Sequence, residues 1–378
     1  MICIKRDRFG VISSLTLVSL LAIALAASTA APALAGSGGF NNTGSMNVAR
    51  DGQTATLLQN GEVLVVGGEN NTTGYLASAE LYDPSKGKWT LTGSTTIARD
   101  GHEAVLLKNG QVLVAGGYDP NGCCGAPPLR SAELYNPSTG IWTATGSMTT
   151  GRVDFDLTLL SNGEALAAGG FNNGSLSSAE LYNPATGTWT ATGSITGGIT
   201  DDDAAVLLPN GKVYAASVNL YNPSTGTWTT ISKPSVGGLV PITLLPNGDV
   251  WTGGNVQGES LYNPTTNQWT TFAPPPCTTI NQNCEGAAAT LNTGKVLVAG
   301  GITKVNARPY PISKTNGLAA LFDPSTLTWA STGSLNKDRI GETMTVLPNG
   351  QVLVAGGESY DKSVGHLVPI ASAELYTP

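Results

Sequence analysis

The sequence predicts an all-β chain folded as a seven-bladed β-propeller, each blade a four-stranded sheet, with the last blade closed by the N-terminal strand. Three observations predict it: a unit of about 48 residues that returns seven times, strand-and-turn chemistry inside each unit, and two incomplete ends that together make one whole unit.

The stretch from Leu57 to Gly68 (LLQNGEVLVVGG) recurs from Leu106 and Leu159, and in altered form from Leu207, Leu244, Thr290 and Val346. Its turn glycine supplies the count: Gly61, Gly110, Gly163, Gly211, Gly248, Gly294 and Gly350. A second signature follows, Ala79-Glu80-Leu81-Tyr82-Asp83-Pro84-Ser85-Lys86-Gly87-Lys88-Trp89, whose counterparts end in Trp142, Trp189, Trp228, Trp269 and Trp329.

Within a unit the first strand is a short apolar run ending at Leu57-Leu58, reversed by an Asn-Gly turn whose residues tolerate positive φ. The second strand, Val63 to Val66, is apolar throughout, which implies burial of both faces. Paired glycines then release a loop of variable length. The third strand carries the Leu-Tyr pair, and Asp/Asn-Pro-Ser/Thr-x-Gly is turn chemistry that delivers the fourth strand with its Trp. One such sheet cannot bury two faces alone, so the blades must stack around an axis.

The chain stops at Leu375-Tyr376-Thr377-Pro378, where the seventh unit should turn into its fourth strand. The missing strand is at the other end: Phe40-Asn41-Asn42-Thr43-Gly44-Ser45-Met46 parallels Trp142-Thr143-Ala144-Thr145-Gly146-Ser147-Met148. Residues of about 40–44 are therefore expected to complete blade 7 and remove an exposed sheet edge. Trp251, outside the repeated Trp position, is expected in the core between blades.

Lys5, Arg6 and Arg8, the apolar run Val11 to Ala27, and Ala33-Leu34-Ala35 have the pattern of a cleaved secretory signal. This divides the chain into a signal at 1–35 and a propeller at 36–378, in a protein that is secreted, periplasmic or held at the cell surface. An uncleaved anchor is the rival reading, since the run is nearly long enough to span with tilt. No later segment is apolar and long enough to cross a membrane, so no insertion is expected after cleavage. Cleavage would take the net charge from −7 to −9. An acidic chain without a Lys/Arg cluster lacks the footprint of a nucleic-acid binder. The 48 glycines and 22 prolines suit many short strands and tight turns.

The Gly-Gly pair, the Leu-Tyr-Asp/Asn-Pro segment and the Trp beyond it resemble the Kelch repeat, over essentially all of residues 40–378. The resemblance implies a propeller with its variable loops on one face and its tight turns on the other. It does not imply one function, because Kelch propellers serve as binding scaffolds and as a few enzymes.

Loop length varies only on the face beyond the Gly-Gly pairs. Blade 2 spends 118–130, blade 6 spends 302–317 and blade 7 spends 358–371, while blade 4, with Ala216-Ser217 in place of Gly-Gly, has almost no loop. The rim is thus expected to be tall over blades 6, 7, 1 and 2 and low over 3 to 5; such a rim makes a cleft, unless loop length simply drifts. Arg50, Arg99, Arg152 and Arg339 recur eight residues before the end of the first strand. The blades carrying them also carry Glu80, Glu133, Glu180 and Glu374 on the third strand, whereas blades 4 to 6 carry Thr200, Gly237 and Asn283 with Asn219, Ser260 and Ala320. The co-occurrence reads as a buried Arg–Glu pair in each regular blade. The competing reading is a ring of arginines at the mouth that holds a carboxylate.

Ligand-binding candidates are therefore Arg152, the carboxylates Asp154, Asp156, Asp201, Asp202 and Asp203, the rim aromatics Tyr118 and Phe171, and His102. Clustered carboxylates bind Ca²⁺ or raise one another's pKa for acid/base work. The bland alternatives are a solvated acidic loop and aromatics that only pack their own loops. Cys277 and Cys284 bracket a short loop before blade 6 and are disulfide candidates; Cys123 and Cys124 are adjacent in the blade 2 loop and pair with each other or elsewhere.

Among Kelch-like enzymes, the class similar to galactose oxidase holds copper with two His and two Tyr; this chain has only His102 and His366, in different blades. A second class, which resembles sialic-acid mutarotases, needs only Arg and acidic residues at the channel mouth. The expectation is a monomeric, exported binding or adhesion propeller for glycan or extracellular protein, with no cofactor required and Ca²⁺ the one ion considered. Sugar mutarotase chemistry is the alternative.

Overall fold

The computed structural model describes residues 38–118, 127–196, 204–215, 218–235, 241–253, 258–278, 286–305 and 312–378. The signal segment 1–35, Cys123, Cys124, Cys284 and Asp201, Asp202 and Asp203 lie outside the described residues. Among these residues the chain is all-β, and seven four-stranded antiparallel sheets follow one another as blades.

Blade 1 is built from Thr54–Leu57, Val63–Val66, Ala79–Asp83 and Lys88–Leu91. Its first turn forms because the Asn60 side chain accepts the Glu62 amide at 3.0 Å and Gly61 takes φ +86°. The second strand is buried at all four residues, for a reason visible in the packing. Val63 and Val65 join a cluster with Leu353 and Ala355 of blade 7, and Leu64 and Val66 join one with Val112 and Val114 of blade 2. Each face of a blade is thus core for one neighbour.

The first strands of blades 1 to 7 are Thr54–Leu57, Glu103–Leu106, Asp156–Leu159, Ala205–Leu207, Ile242–Leu244, Ala287–Thr290 and Thr343–Val346. Each contacts the next and the last contacts the first, so they line the axis as a closed ring. The Tyr and Trp of the repeat latch each blade to the one before it. Trp89 Nε1 donates to the Gly44 carbonyl at 2.7 Å, and Trp142, Trp189 and Trp228 do the same to Gly93, Gly146 and Gly193. Tyr82, Tyr135, Tyr182 and Tyr221 share hydroxyl hydrogen bonds with Thr43, Thr92, Thr145 and Thr192. Trp251 lies on the second strand of blade 5, fully buried and edge-on to Trp329 of blade 6.

Blade 7 takes its fourth strand from Gly39–Asn42, paired with Ala373–Thr377 so that Phe40 stands opposite Tyr376 as Trp89 stands opposite Tyr82. The strand ends at Asn42, the Thr43 amide still donates to the Ala373 carbonyl of blade 7, and the Thr43 hydroxyl and Gly44 amide turn to blade 1, where they meet Tyr82 and the Gly87 carbonyl. Beyond the glycine pairs, blades 6, 7 and 1 carry small hairpins, Ile302–Val305 with Ile312–Thr315, Glu358–Asp361 with His366–Pro369, and Glu69–Asn70 with Gly74–Tyr75. These stand side by side as a wall: the Tyr360 amide donates to Thr315 Oγ1 at 3.0 Å, and Lys314 lies over the Tyr360 ring.

Candidate functional site at the mouth of the ring

Four arginines dominate the approach to the first strands, and none is free to meet a ligand. Arg50, Arg99, Arg152 and Arg339 are at most 1% exposed and pair with Glu80, Glu133, Glu180 and Glu374 at 3.0, 2.9, 3.1 and 2.8 Å. Each guanidinium also donates to the carbonyl of the first glycine of its blade's pair (Gly67, Gly116, Gly169, Gly356) and to a serine at the start of the third strand. The carboxylates accept backbone amides in return: Asn47 and Val48 on Glu80, Thr96 on Glu133, Thr149 and Thr150 on Glu180, Asn336 and Lys337 on Glu374. Arg152, a ligand candidate from the sequence, is therefore scaffold, because burial tolerates its charge only beside Glu180.

The segments that follow these arginines align position by position: Arg50-Asp51-Gly52-Gln53-Thr54, Arg99-Asp100-Gly101-His102-Glu103, Arg152-Val153-Asp154-Phe155-Asp156 and Arg339-Ile340-Gly341-Glu342-Thr343. The fourth position points back at the preceding blade. A Cβ on Gly67 would meet His102 at 2.6 Å, one on Gly116 would meet Phe155 at 2.6 Å, and one on Gly356 would meet Gln53 at 2.5 Å. The first glycine of these three pairs is thus required by a close approach from the next blade. The second donates its amide to the next arginine's carbonyl: Gly68 to Arg99, Gly117 to Arg152, Gly301 to Arg339 and Gly357 to Arg50. His102 belongs to this joint, 2% exposed and 3.2 Å from Thr54 Oγ1, so it does not stand at the mouth as a ligand group.

The third position is glycine in blades 1, 2 and 7, at φ +65°, +63° and +72°. Blade 3 places Asp154 there instead, at φ +49°. A side chain in this left-handed conformation is strained, and such residues concentrate at functional sites. The Asp154 amide donates to the Gly101 carbonyl, which sets it against blade 2. The fifth position is Thr in blades 1 and 7 but Glu103 in blade 2 and Asp156 in blade 3. Burial, with the charge of Asp154 adding to it, pushes the Glu103 carboxyl up to about 8. Asp156 begins its strand 8% exposed. Blades 2 and 3 thus gather three carboxylates where the other regular blades have glycine and threonine.

The rim aromatics adjoin the same segments, Tyr118 bridging to Asp100 and Phe171 to Val153. Tyr118 stacks on Tyr75 of the blade 1 hairpin, with centroids 6.4 Å apart and planes 22° apart. Phe171 exchanges backbone hydrogen bonds with Val153 and bridges to Ser175. Sequence reasoning singled out Asp154 and Asp156 but missed Glu103; aligning the five residues after each arginine would have exposed it.

No group of three His, Cys, Asp or Glu side chains able to hold a metal occurs among the described residues. The copper set of two His and two Tyr does not fit: His102 is wedged in the joint of blades 1 and 2, and His366 is exposed on the blade 7 hairpin. Calcium finds no described cage either, and the Asp201 to Asp203 run lies outside the described residues.

Residues 53–94, 104–149 and 159–194 match the Kelch motif. No curated protein matches this chain in sequence. Similar solved structures include a fungal alcohol oxidase of the AA5 family in complex with copper, 16% identical, with a TM-score of 0.69 over 91% of this chain and 77% of that one. Another is a structure described as YjhT, 15% identical, with a TM-score of 0.56 over 88% and 96% of the two chains. At these identities the likeness is one of fold. Three of its units match the Kelch motif, and the described residues form the seven four-stranded blades of a Kelch-type β-propeller.

Proposed function

We propose that the protein is an exported binding propeller that takes a glycan or an extracellular protein at its variable-loop face, at the mouth formed by blades 2 and 3. The observation that carries this reading is Asp154, a carboxylate in a left-handed position that the other regular blades give to glycine, set beside Glu103. Carboxylates accept from sugar hydroxyls, and the Tyr75–Tyr118 stack offers a face for a sugar ring. All four repeat arginines are consumed by glutamates, which favours a neutral glycan over an anionic one. Export and the link between Cys277 and Cys284 are part of the same proposal; Cys277 takes part in a disulfide.

A second reading rests on the raised Glu103 carboxyl. A carboxyl that burial and the charge of Asp154 push up to about 8 suits proton transfer on a sugar ring, as a mutarotase requires. An array of neutral and acidic glycans probed with the purified protein tests the first reading. Binding to neutral members that the double variant Glu103→Gln, Asp154→Asn loses would support it, and binding that survives in that variant would place the site elsewhere. Anomer exchange of the bound sugar separates the readings, because a binding protein leaves its rate unchanged.

A further inference from the structure

Glu342 fills the back-pointing position at the junction of blades 6 and 7, where the next three junctions have Gln53, His102 and Phe155. Its side chain is 6% exposed, and neither carboxylate oxygen has a hydrogen-bond partner. It lies against Gly300, and a Cβ on Gly286 would stand 2.9 Å from its Oε1. Both neighbours are glycines of blade 6, which offer it no charge. Arg339 on its own blade is committed to Glu374, Gly356 and Ser372. Asp51 of blade 1 brings a like charge, its Oδ1 only 2.6 Å from where a Gly341 Cβ would stand. Among the described residues, Glu358, whose backbone pairs with Ile340, is a further acid on an element packed against this segment. A buried, unpartnered carboxylate between glycines and beside another acid is tolerated only in its neutral form.

We propose that Glu342 makes the junction of blades 6 and 7 a pH-responsive joint, tight while its carboxyl holds a proton and loosened once it is charged. Burial raises this carboxyl to about 7 against the lowering pull of its own backbone amide and of the Arg339 charge, with a smaller upward push from Asp51. The joint carries the Gly301–Arg339 hydrogen bond and supports the two hairpins that form the wall beside the mouth. Because the folded value lies above the ordinary 4.5, the stabilisation is complete below about 4.5 and is lost as pH rises through 7. The corresponding change in the folding equilibrium is on the order of a hundredfold.

Thermal unfolding and amide exchange of the full protein between pH 4.5 and 8.5, in chelator-treated buffer, test this. The wild type should lose thermal stability across that range, and exchange at the Gly301 amide should accelerate beyond its intrinsic pH dependence. Glu342→Gln keeps the shape without the charge; it should flatten the slope, leaving the share that belongs to Glu103, and hold Gly301 protection constant. Asp51→Asn should move the loosening to lower pH. An unchanged slope in Glu342→Gln, or Gly301 protection independent of pH in the wild type, would overturn the proposal. Added Ca²⁺ that restores tightness at pH 8 would also overturn it, by placing a cation in the gap.

Discussion

Blades 7, 1, 2 and 3 differ from blades 4, 5 and 6 in how they hold the start of the third strand. The first group uses a buried ion pair wrapped in backbone hydrogen bonds. The second has neutral residues at the paired positions, although Glu259 is buried one residue earlier in blade 5: Asn219, Ser260 and Ala320 are at most 1% exposed, and Asn219 Oδ1 accepts from Thr230 at 3.0 Å. No blade retains half a pair. Breaking a buried pair strands a charge, whereas replacing both members costs little, so the two residues change together or not at all. The latches follow the same division. Trp89, Trp142 and Trp189 are 8% exposed, while Trp228, Trp269 and Trp329 are only partly buried. The carboxylate cluster sits in blades 2 and 3, at the edge of the regular group. The half of the ring braced by buried ion pairs therefore also holds these carboxylates.

Breaking one regular blade should have the largest effect. Glu180→Ala leaves Arg152 buried without its partner and should cost about 3–5 kcal/mol in chemical denaturation. The blade 4 solution transplanted, Arg152→Thr with Glu180→Asn, should cost markedly less than the single change. Next comes Gly67→Ala, which forces φ +63° on an alanine and drives its Cβ into His102; about 3 kcal/mol is expected from the same assay. Blade 4 has Ala216 at the equivalent place, so the repeat does not demand glycine there in every blade. A smaller effect tests the latches. Trp89→Phe removes the bond to the Gly44 carbonyl and should cost about 1–2 kcal/mol, against a smaller loss for Trp329→Phe on its more exposed latch.

The ring was legible in the sequence because repetition averages out local ambiguity: seven turn glycines, six tryptophans and two half-units leave one way to close. The Arg–Glu pairs were legible for a related reason, since the presence or absence of Glu80, Glu133, Glu180 and Glu374 tracks the arginines across blades. The mouth was only half legible. Asp154 and Asp156 stood out as acids, but Glu103 and Glu342 did not, because nothing in a linear reading says that the fourth aligned position, held by Glu342, points into the preceding blade or that the fifth, held by Glu103, comes within reach of the Asp154 charge. His102 misled for the same reason. Its chemistry suggests a ligand group, and its place is a wedge against Gly67. The hairpins of blades 6, 7 and 1 were read only as loop length, since their pairing depends on neighbours that stand beside them in the ring rather than in the chain.

The substitution Asp154→Gly tests the central claim most directly, because it restores the residue that the other regular blades use at that position. With the strain of a left-handed aspartate removed, the variant should unfold about 1 kcal/mol later than the wild type. Titration of a glycan or protein ligand into both forms should then show binding in the wild type and its loss in the more stable variant. A variant that binds as well as the wild type would contradict the account, and would make Asp154 a structural irregularity rather than part of the site.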